Sequence, residues 1–146
     1  MDRKEFFQSC GCVLFGGIAI SAVTSGCSSS TYTAQHTRNG KLVTVPLSEF
    51  VENRNGVFQP RAFVIVKLAG EKYPIGVYQH GDKKYSALLL RCTHRSCELQ
   101  PLDDYLICPC HGSEFTTRGV VQSPPALVNL ESYAVTVENN DVVIHL

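Results

Sequence analysis

The chain has 146 residues, of which 44% are hydrophobic, which is enough to bury one core and gives no sign of a second domain. Thirteen lysines and arginines balance thirteen aspartates and glutamates, so no basic nucleic-acid-binding surface and no strongly acidic partner site is indicated. Seven cysteines in a chain of this length indicate disulfide or metal chemistry.

Residues 1–26 have the pattern of an export signal. Charged residues at positions 2–5 precede an almost wholly apolar stretch from Gly11 to Val23, and small residues follow it. The stretch is about thirteen residues long, shorter than the roughly twenty that a membrane-spanning helix needs, so a processed signal is favoured over a permanent anchor. We therefore expect an exported protein of a bacterium, held in the periplasm or on the outer face of the cytoplasmic membrane.

Gly26-Cys27, followed by three serines, resembles a bacterial lipoprotein cleavage site. Cleavage there would make Cys27 the lipidated first residue and would attach the protein to a membrane surface. An uncleaved anchor and a released soluble protein are the alternatives. Residues 27–40 are polar and without apolar periodicity, so they are predicted to be a tether, with the domain occupying residues 41–146.

After the predicted tether, the pattern is that of β-strands throughout. Short β-branched or alternating apolar runs are separated by turn residues, and no ten-residue window carries a helical stripe. The last two runs flank a turn at residues 138–141 and are predicted to form a hairpin. The sequence thus predicts an all-β domain of small antiparallel sheets, with strands at 41–45, 62–68, 73–78, 85–90, 104–107, 120–121, 133–137 and 142–146.

Two six-residue stretches between these strands carry most of the chemistry. CTHRSC begins at Cys92 and CPCHGS begins at Cys108, so His94 and His111 complete a pattern of Cys-x-His, thirteen residues, Cys-x-x-His. Two thiolates and two imidazoles suit a tetrahedral structural zinc ion or a 2Fe-2S cluster. Zinc fingers usually supply two cysteines and then two histidines, whereas each stretch here supplies one of each. The mixed pattern favours the cluster.

With these motifs the chain resembles the Rieske iron–sulfur family from roughly residue 40 to the end. The resemblance implies stacked antiparallel sheets with two cluster-binding loops at one end. It also implies that Cys92 and Cys108 bind the buried iron of a 2Fe-2S cluster, while His94 and His111 bind the outer iron. Imidazole ligands raise the reduction potential above that of an all-cysteine cluster.

The same resemblance assigns roles to residues around the ligands. Cys97 and Cys110 fall where the cytochrome bc complex subfamily has a disulfide that ties the two loops together, which requires an oxidising compartment. The hydroxyl of Ser113 is expected to donate a hydrogen bond to sulfur and stabilise the reduced state. Phe115 stands where the family often has a tyrosine donor, and Arg95 stands where quinol-oxidising members commonly carry a leucine.

A third loop is implied by Ser123-Pro124-Pro125-Ala126, which resembles the proline loop that covers the cluster in the family. Proline at two of its positions restricts the backbone of this loop.

The function implied is one-electron, proton-coupled transfer by a subunit of an oxidoreductase and not by a catalyst acting alone. The expected partners are redox proteins and, through the N-terminus, a membrane surface, with no nucleic acid. One candidate complex oxidises quinol in a membrane. The alternative is an exported oxidoreductase of the arsenite oxidase kind, whose small subunit also has Phe in place of Tyr. A structural zinc-binding module is the distant alternative.

Overall fold

The computed structural model describes residues 31–81 and 83–146, and almost all of its regular structure is β. The one short helix within these residues is a 3-10 turn at Leu47–Phe50. The strands are β1 Thr37–Asn39, β2 Leu42–Pro46, β3 Val51–Arg54, β4 Val57–Pro60, β5 Phe63–Val66, β6 Ile75–Gln79, β7 Tyr85–Leu89, β8 Gln100–Pro101, β9 Tyr105–Ile107, β10 Glu114–Thr116, β11 Val121–Ser123, β12 Ser132–Glu138 and β13 Asp141–His145. The all-β prediction is confirmed.

The larger sheet has seven antiparallel strands in the order β1-β2-β13-β12-β7-β6-β5. Alternation along β2 sends Val43 and Val45 inward, and the register pairs them with Ile144 and Val142 of β13. All four side chains are fully buried, because residues that face each other across neighbouring strands lie on the same side of a sheet. This row forms the centre of the first hydrophobic core.

The smaller sheet positions the two cysteine-containing loops. Its four antiparallel strands run in the order β11-β10-β9-β8 and pack over a second core that includes Leu88, Leu106 and Phe115. The first loop connects β7 to β8, and the second connects β9 to β10. Since β8 and β9 are antiparallel neighbours, the chain leaves the first loop and enters the second at the same end of the sheet.

A separate two-stranded sheet, β3 with β4, was not predicted. It is a hairpin whose turn is Asn55-Gly56, both with positive φ (53° and 84°). Asn-Gly favours such a turn because both residues tolerate the left-handed region. The side-chain oxygen of Asn53 also accepts a hydrogen bond from the N–H of Gly56 at 2.8 Å.

The predicted boundary between tether and domain at residue 41 is wrong, because the segment from Tyr32 to Gly40 belongs to the fold. Ala34 is 2% exposed, its N–H donates to the carbonyl of Ile65 on β5 at 2.8 Å, and the N–H of Ile65 donates to the carbonyl of Tyr32 at 2.9 Å. Further along, β1 pairs with β2. Backbone pairing and one small apolar residue hold the segment, so no hydrophobic periodicity marks it in the sequence. The predicted signal at 1–26 and lipidation at Cys27 lie outside the described residues.

Across residues 31–81 and 83–146, none of the helical structure has the length and apolar character that crossing a membrane would require.

Candidate metal centre

The two predicted ligand loops have the same backbone hydrogen bonds. In the first, Cys92 N–H donates to the carbonyl of Cys97 and Ser96 N–H donates to the carbonyl of Cys92, both at 2.8 Å. In the second, Cys108 N–H donates to Ser113 O and Gly112 N–H donates to Cys108 O, at 2.8 and 2.9 Å. Each loop is therefore a closed six-residue turn that begins with a cysteine.

The fifth residue of each turn has a left-handed backbone. Gly112 occupies this position in the second loop with φ 78°, and Ser96 occupies it in the first with φ 56°. Glycine adopts such a φ without steric cost, whereas serine does not. The first loop therefore contains backbone strain that the second avoids, and it needs contacts from outside to hold it.

The first residues of the two turns bring two free thiols together in the core. Cys92 and Cys108 are each 1% exposed and not in a disulfide, and their side chains are within hydrogen-bonding reach of each other. Burial raises the pKa of the Cys92 thiol above its ordinary value, while the backbone N–H groups of His94 and Arg95 act in the opposite direction by donating to its sulfur. A cation at this place would favour the thiolates that burial opposes.

The two predicted histidine ligands are also neighbours. The rings of His94 and His111 are edge to face, with centroids 4.9 Å apart. Nδ1 of His94 is buried and has no hydrogen-bond partner among the described residues. A buried, unpartnered ring nitrogen costs free energy unless something unseen binds it, and a metal ion would do so. The ring of His94 is half-buried and that of His111 is exposed.

Cys97 and Cys110 form a disulfide that joins the two loops, with Cα atoms 6.5 Å apart. The pairing is the one that the family resemblance implied. Sulfur atoms of Cys97, Cys108 and Cys110 lie within 4.8 Å of one another. Of these three, only Cys108 has a free thiol, so the group is a disulfide packed against one candidate ligand and not a three-cysteine metal site.

Ser113 connects the second loop to the third. It is fully buried, and its hydroxyl oxygen accepts a hydrogen bond from Ala126 N–H at 2.9 Å. Because the oxygen accepts, the hydroxyl hydrogen is left to donate elsewhere. Phe115, two residues further on β10, is also fully buried. The segment at 123–126 therefore packs against the second loop.

Two residues that the sequence did not single out hold the first loop from outside. The hydroxyl of Thr93 donates to the carbonyl of Val128 in the third loop at 2.7 Å. The hydroxyl of Tyr73, in the connection between β5 and β6, donates to the carbonyl of Ser96 at 2.6 Å. Thr93 lies between two predicted ligands, which is a signal in the sequence, but nothing local indicates a role for Tyr73.

The donor set fits a 2Fe-2S cluster. Each loop contributes one thiol in the core and one imidazole nearer the surface. The thiols lie within hydrogen-bonding reach of each other, the two rings pack edge to face, and a disulfide joins the loops. Soft thiolates suit a buried iron, and neutral imidazoles suit one close to solvent. The third loop completes the surroundings through Ser113 and Thr93.

Residues 48–134, which are more than half of the chain, match the family described as the Rieske 2Fe-2S domain. Among curated proteins, the chain is 31% identical over 102 residues to cytochrome b6-f complex iron-sulfur subunit 2 of Nostoc sp. strain PCC 7120, which covers 68% of this chain and 55% of that protein. It is 30% identical over 81 residues to the cytochrome b6-f complex iron-sulfur subunit of Chlorobaculum tepidum, covering 48% of this chain and 45% of that protein. The chain spans about half the length of the curated relatives it matches.

Two solved structures are similar in fold. The plasma membrane Rieske protein of the cyanobacterium Synechocystis PCC 6803 aligns with a TM-score of 0.52 and 30% identity, over 58% of this chain and 87% of that one. A chain in the complex of reduced oxygenase and oxidized ferredoxin of carbazole 1,9a-dioxygenase aligns with a TM-score of 0.55 and 27% identity, over 73% and 94%.

Proposed function

The chain belongs to the Rieske 2Fe-2S domain family and has a 2Fe-2S cluster as its cofactor, and from this premise we propose that Cys92, Cys108, His94 and His111 hold the cluster for proton-coupled electron transfer. The observation that carries the assignment is the pair of buried free thiols, one at the start of each loop, together with the buried, unpartnered Nδ1 of His94. When bound, the cluster gains and loses one electron at a potential that imidazole ligation raises.

The role proposed for each residue depends on how deeply it is buried. Cys92 and Cys108 supply thiolates from the core, where water is excluded. His94 binds through Nδ1, which leaves its Nε2 to hold or release a proton. The exposed ring of His111 can exchange a proton with solvent or with a partner. Ser113 donates its hydroxyl hydrogen to sulfur, and the N–H groups of His94 and Arg95 donate to Cys92 Sγ, so both stabilise the reduced, more negative state.

Metal and sulfide analysis of the purified full chain tests the ligand assignment. We expect about two irons and two acid-labile sulfides per chain, and their loss from His94→Ala and His111→Ala. His145→Ala, an exposed histidine on β13, is the matched control and should retain them. One zinc per chain without labile sulfide would show that the site is a structural zinc site.

For the partner, a quinol-oxidising membrane complex is the first candidate. The matched curated relatives are named as cytochrome b6-f subunits, and this chain has the disulfide and the proline loop of that subfamily. In such a complex, an exposed imidazole would accept a hydrogen bond from quinol and then its proton, while the electron enters the cluster. Reduction of the purified protein by a soluble quinol analogue, followed by the visible spectrum, tests this candidate.

An electron-carrier role in an exported oxidoreductase is the second candidate. Arg95 is exposed in the first loop, where a partner that docks on the histidines would meet a cation instead of an apolar side chain. Phe115 lacks the tyrosine hydroxyl that, in quinol-oxidising members of the family, often donates a hydrogen bond to a ligand sulfur. Failure of quinol analogues to reduce a protein whose cluster is intact would favour this candidate.

Export and membrane attachment are part of the proposal. A signal at 1–26 would carry the folded protein out of the cytoplasm, and lipidation of Cys27 would hold it on a membrane. The mass of the mature N-terminus tests this directly, because cleavage before Cys27 and added acyl chains both change it. Cys27→Ala should move the protein from the membrane fraction to the soluble fraction.

A further inference from the structure

The hairpin of β3 and β4 exposes apolar side chains that no described part of the chain covers. Phe58 is 74% exposed, Val57 is 57% exposed and Val51 is 43% exposed. The pairings Val51 with Pro60 and Asn53 with Phe58 place Val51, Phe58 and Pro60 on one face of the hairpin. A cluster of this kind on a protruding element is typical of a contact surface.

The hairpin carries no net charge that would oppose an apolar or anionic surface. Its only charged residues are Arg54 and Glu52, which form an ion pair at 2.9 Å. Glu52 also binds Arg61 at 3.1 Å, which fixes the opposite face of the hairpin to the domain. The apolar face and the Asn55-Gly56 tip are thus left free.

The start of the described chain lies beside this hairpin. Thr31 lines the same surface groove as Arg54 and Pro60. Because Tyr32 to Gly40 belongs to the fold, only three residues lie between Cys27 and Thr31, and the four Cα–Cα steps from one to the other span at most about 14 Å when fully extended. A lipid attached at Cys27 would therefore keep this side of the domain close to the membrane. An anchor ending at Val23 would allow at most about 28 Å.

The groove and the cluster loops lie at opposite ends of β8 and β9. Asp103, in the turn between these strands, lines the groove. Cys97 precedes β8 and Cys108 follows β9, so both belong to the far end of the same strand pair. If the groove end faces a membrane, the histidines face away from it.

We propose that the β3–β4 hairpin contacts the lipid surface to which the N-terminus is attached, with Val51 and Phe58 of its apolar face entering the headgroup region. The inference rests on the membrane attachment proposed above. Apolar residues beside a short tether suit a lipid surface, because the tether holds them within reach of the boundary between headgroups and acyl chains, where an apolar side chain is removed from water. This orientation turns His94 and His111 toward water, so it supports the second partner named above, a redox protein outside the bilayer, over the first, a quinol inside it.

Tryptophan fluorescence tests this orientation, because the chain contains no tryptophan. Phe58→Trp gives one probe on the hairpin, and Leu127→Trp, at a position that is 84% exposed in the third loop, gives a matched probe near the cluster end. Each full-length, lipid-attached variant is reconstituted into phosphatidylethanolamine and phosphatidylglycerol vesicles with and without brominated acyl chains. We expect bromine to reduce emission from position 58 roughly twofold, as for a side chain inserted 5–10 Å, and to leave position 127 unchanged.

The other outcomes overturn the inference in different ways. Quenching at 127 but not at 58 would mean that the cluster end faces the bilayer, which suits the quinol candidate. Blue-shifted emission at 58 without quenching would mean that another protein surface, such as a second copy, covers the hairpin. If the protein does not sediment with vesicles, both the membrane attachment and the hairpin contact are wrong, while iron and sulfide analysis still decides the cluster assignment separately.

Discussion

Phe115 lies two residues after Ser113 and is fully buried on β10. The family resemblance implies a tyrosine at this position, whose hydroxyl would donate to a ligand sulfur. A hydrogen bond to a charged group is worth roughly 1.5–3 kcal/mol. For one electron, 59 mV corresponds to about 1.4 kcal/mol, so Phe115→Tyr should raise the reduction potential by tens of millivolts. Ser113→Ala should lower it by a similar amount, and a potentiometric titration measures both.

Phe63→Tyr is the control for Phe115→Tyr, since Phe63 packs at the edge of the same core and lies on β5, away from the cysteine loops. Its potential should match that of the unmodified protein. An unchanged or lower potential in Phe115→Tyr, together with an unchanged potential in Ser113→Ala, would show that neither side chain faces the cluster.

The hydrogen bond from Tyr73 to Ser96 holds the strained residue of the first loop. Tyr73→Phe removes only the hydroxyl and should free the turn that aims the N–H groups of His94 and Arg95 at Cys92. A neutral hydrogen bond contributes roughly 0.5–1.5 kcal/mol, so cluster loss to a chelator should accelerate about two- to tenfold. The potential should also fall. Loss of absorbance in the visible spectrum gives the rate.

Tyr133→Phe is matched to Tyr73→Phe because both tyrosines line one surface cavity, and only Tyr73 reaches the loop. It should lose the cluster at the unmodified rate. Equal rates of cluster loss and equal potentials for Tyr73→Phe and Tyr133→Phe would show that Tyr73 does not support the first loop. The assignment of the four ligands would not be changed by that result.

At the scale of elements, the disulfide fastens the first loop to the second. Cys97 and Cys110 are 13 residues apart, and closing a loop of this size contributes about 3 kcal/mol in the chain-entropy description. Cys97→Ser should leave the four proposed ligands in place but accelerate cluster loss on warming and lower the potential. Cys110→Ser should behave alike, and the double variant should be no worse, since one bond is lost in each case. Free thiols at both positions in exported protein, shown by mass spectrometry, would contradict this.

The turn between β6 and β7 gives the fold a pH dependence through His80. Burial lowers the pKa of His80, and nearby Arg118 lowers it further. Its Nε2 contacts the hydroxyl of Ser86 at 2.8 Å, which in turn donates to Thr117 O. The folded state binds this proton more weakly than the unfolded state, whose pKa is about 6.5. The neutral His80 is therefore accommodated without loss of stability above that pH, and the free energy of unfolding decreases as the pH falls from there toward the lowered pKa of the folded state.

Urea unfolding at about pH 7.5 and 5.5 tests the role of His80. His80→Gln should lose less stability between these two pH values than the unmodified protein does. Arg118→Gln should give an intermediate loss, because it removes only the second cause of the lowered pKa. Parallel losses in all three proteins would show that His80 does not set the acid response.

Over the whole molecule, the sequence predicts the elements that bury one face. The alternation in β2 and the paired runs of β12 and β13 mark strands because Val43, Val45 and Ile144 pack into the core. The cysteine loops are recognisable because metal ligation requires particular residues at fixed spacing. These features are local, so they can be interpreted without the fold.

The β3–β4 hairpin and the segment before residue 41 were missed for a shared reason. All of β4 is exposed, so it has no apolar alternation, and only the Asn55-Gly56 turn marks the hairpin. The earlier segment is held by backbone bonds around Ala34. The contact of Tyr73 with Ser96 spans 23 residues and exists only once the loop rests on the larger sheet.

We propose that this protein carries one electron together with a proton through a histidine-ligated cluster. The most direct test of this proposal is a potentiometric titration of the purified full chain, followed by EPR, at a series of pH values. We predict a one-electron transition whose reduced state gives a rhombic signal with an average g below that of the free electron. The potential should fall by up to about 59 mV per pH unit for each imidazole proton released on oxidation. A protein with no EPR signal on reduction, or a potential that stays constant across the imidazole range, would contradict the account.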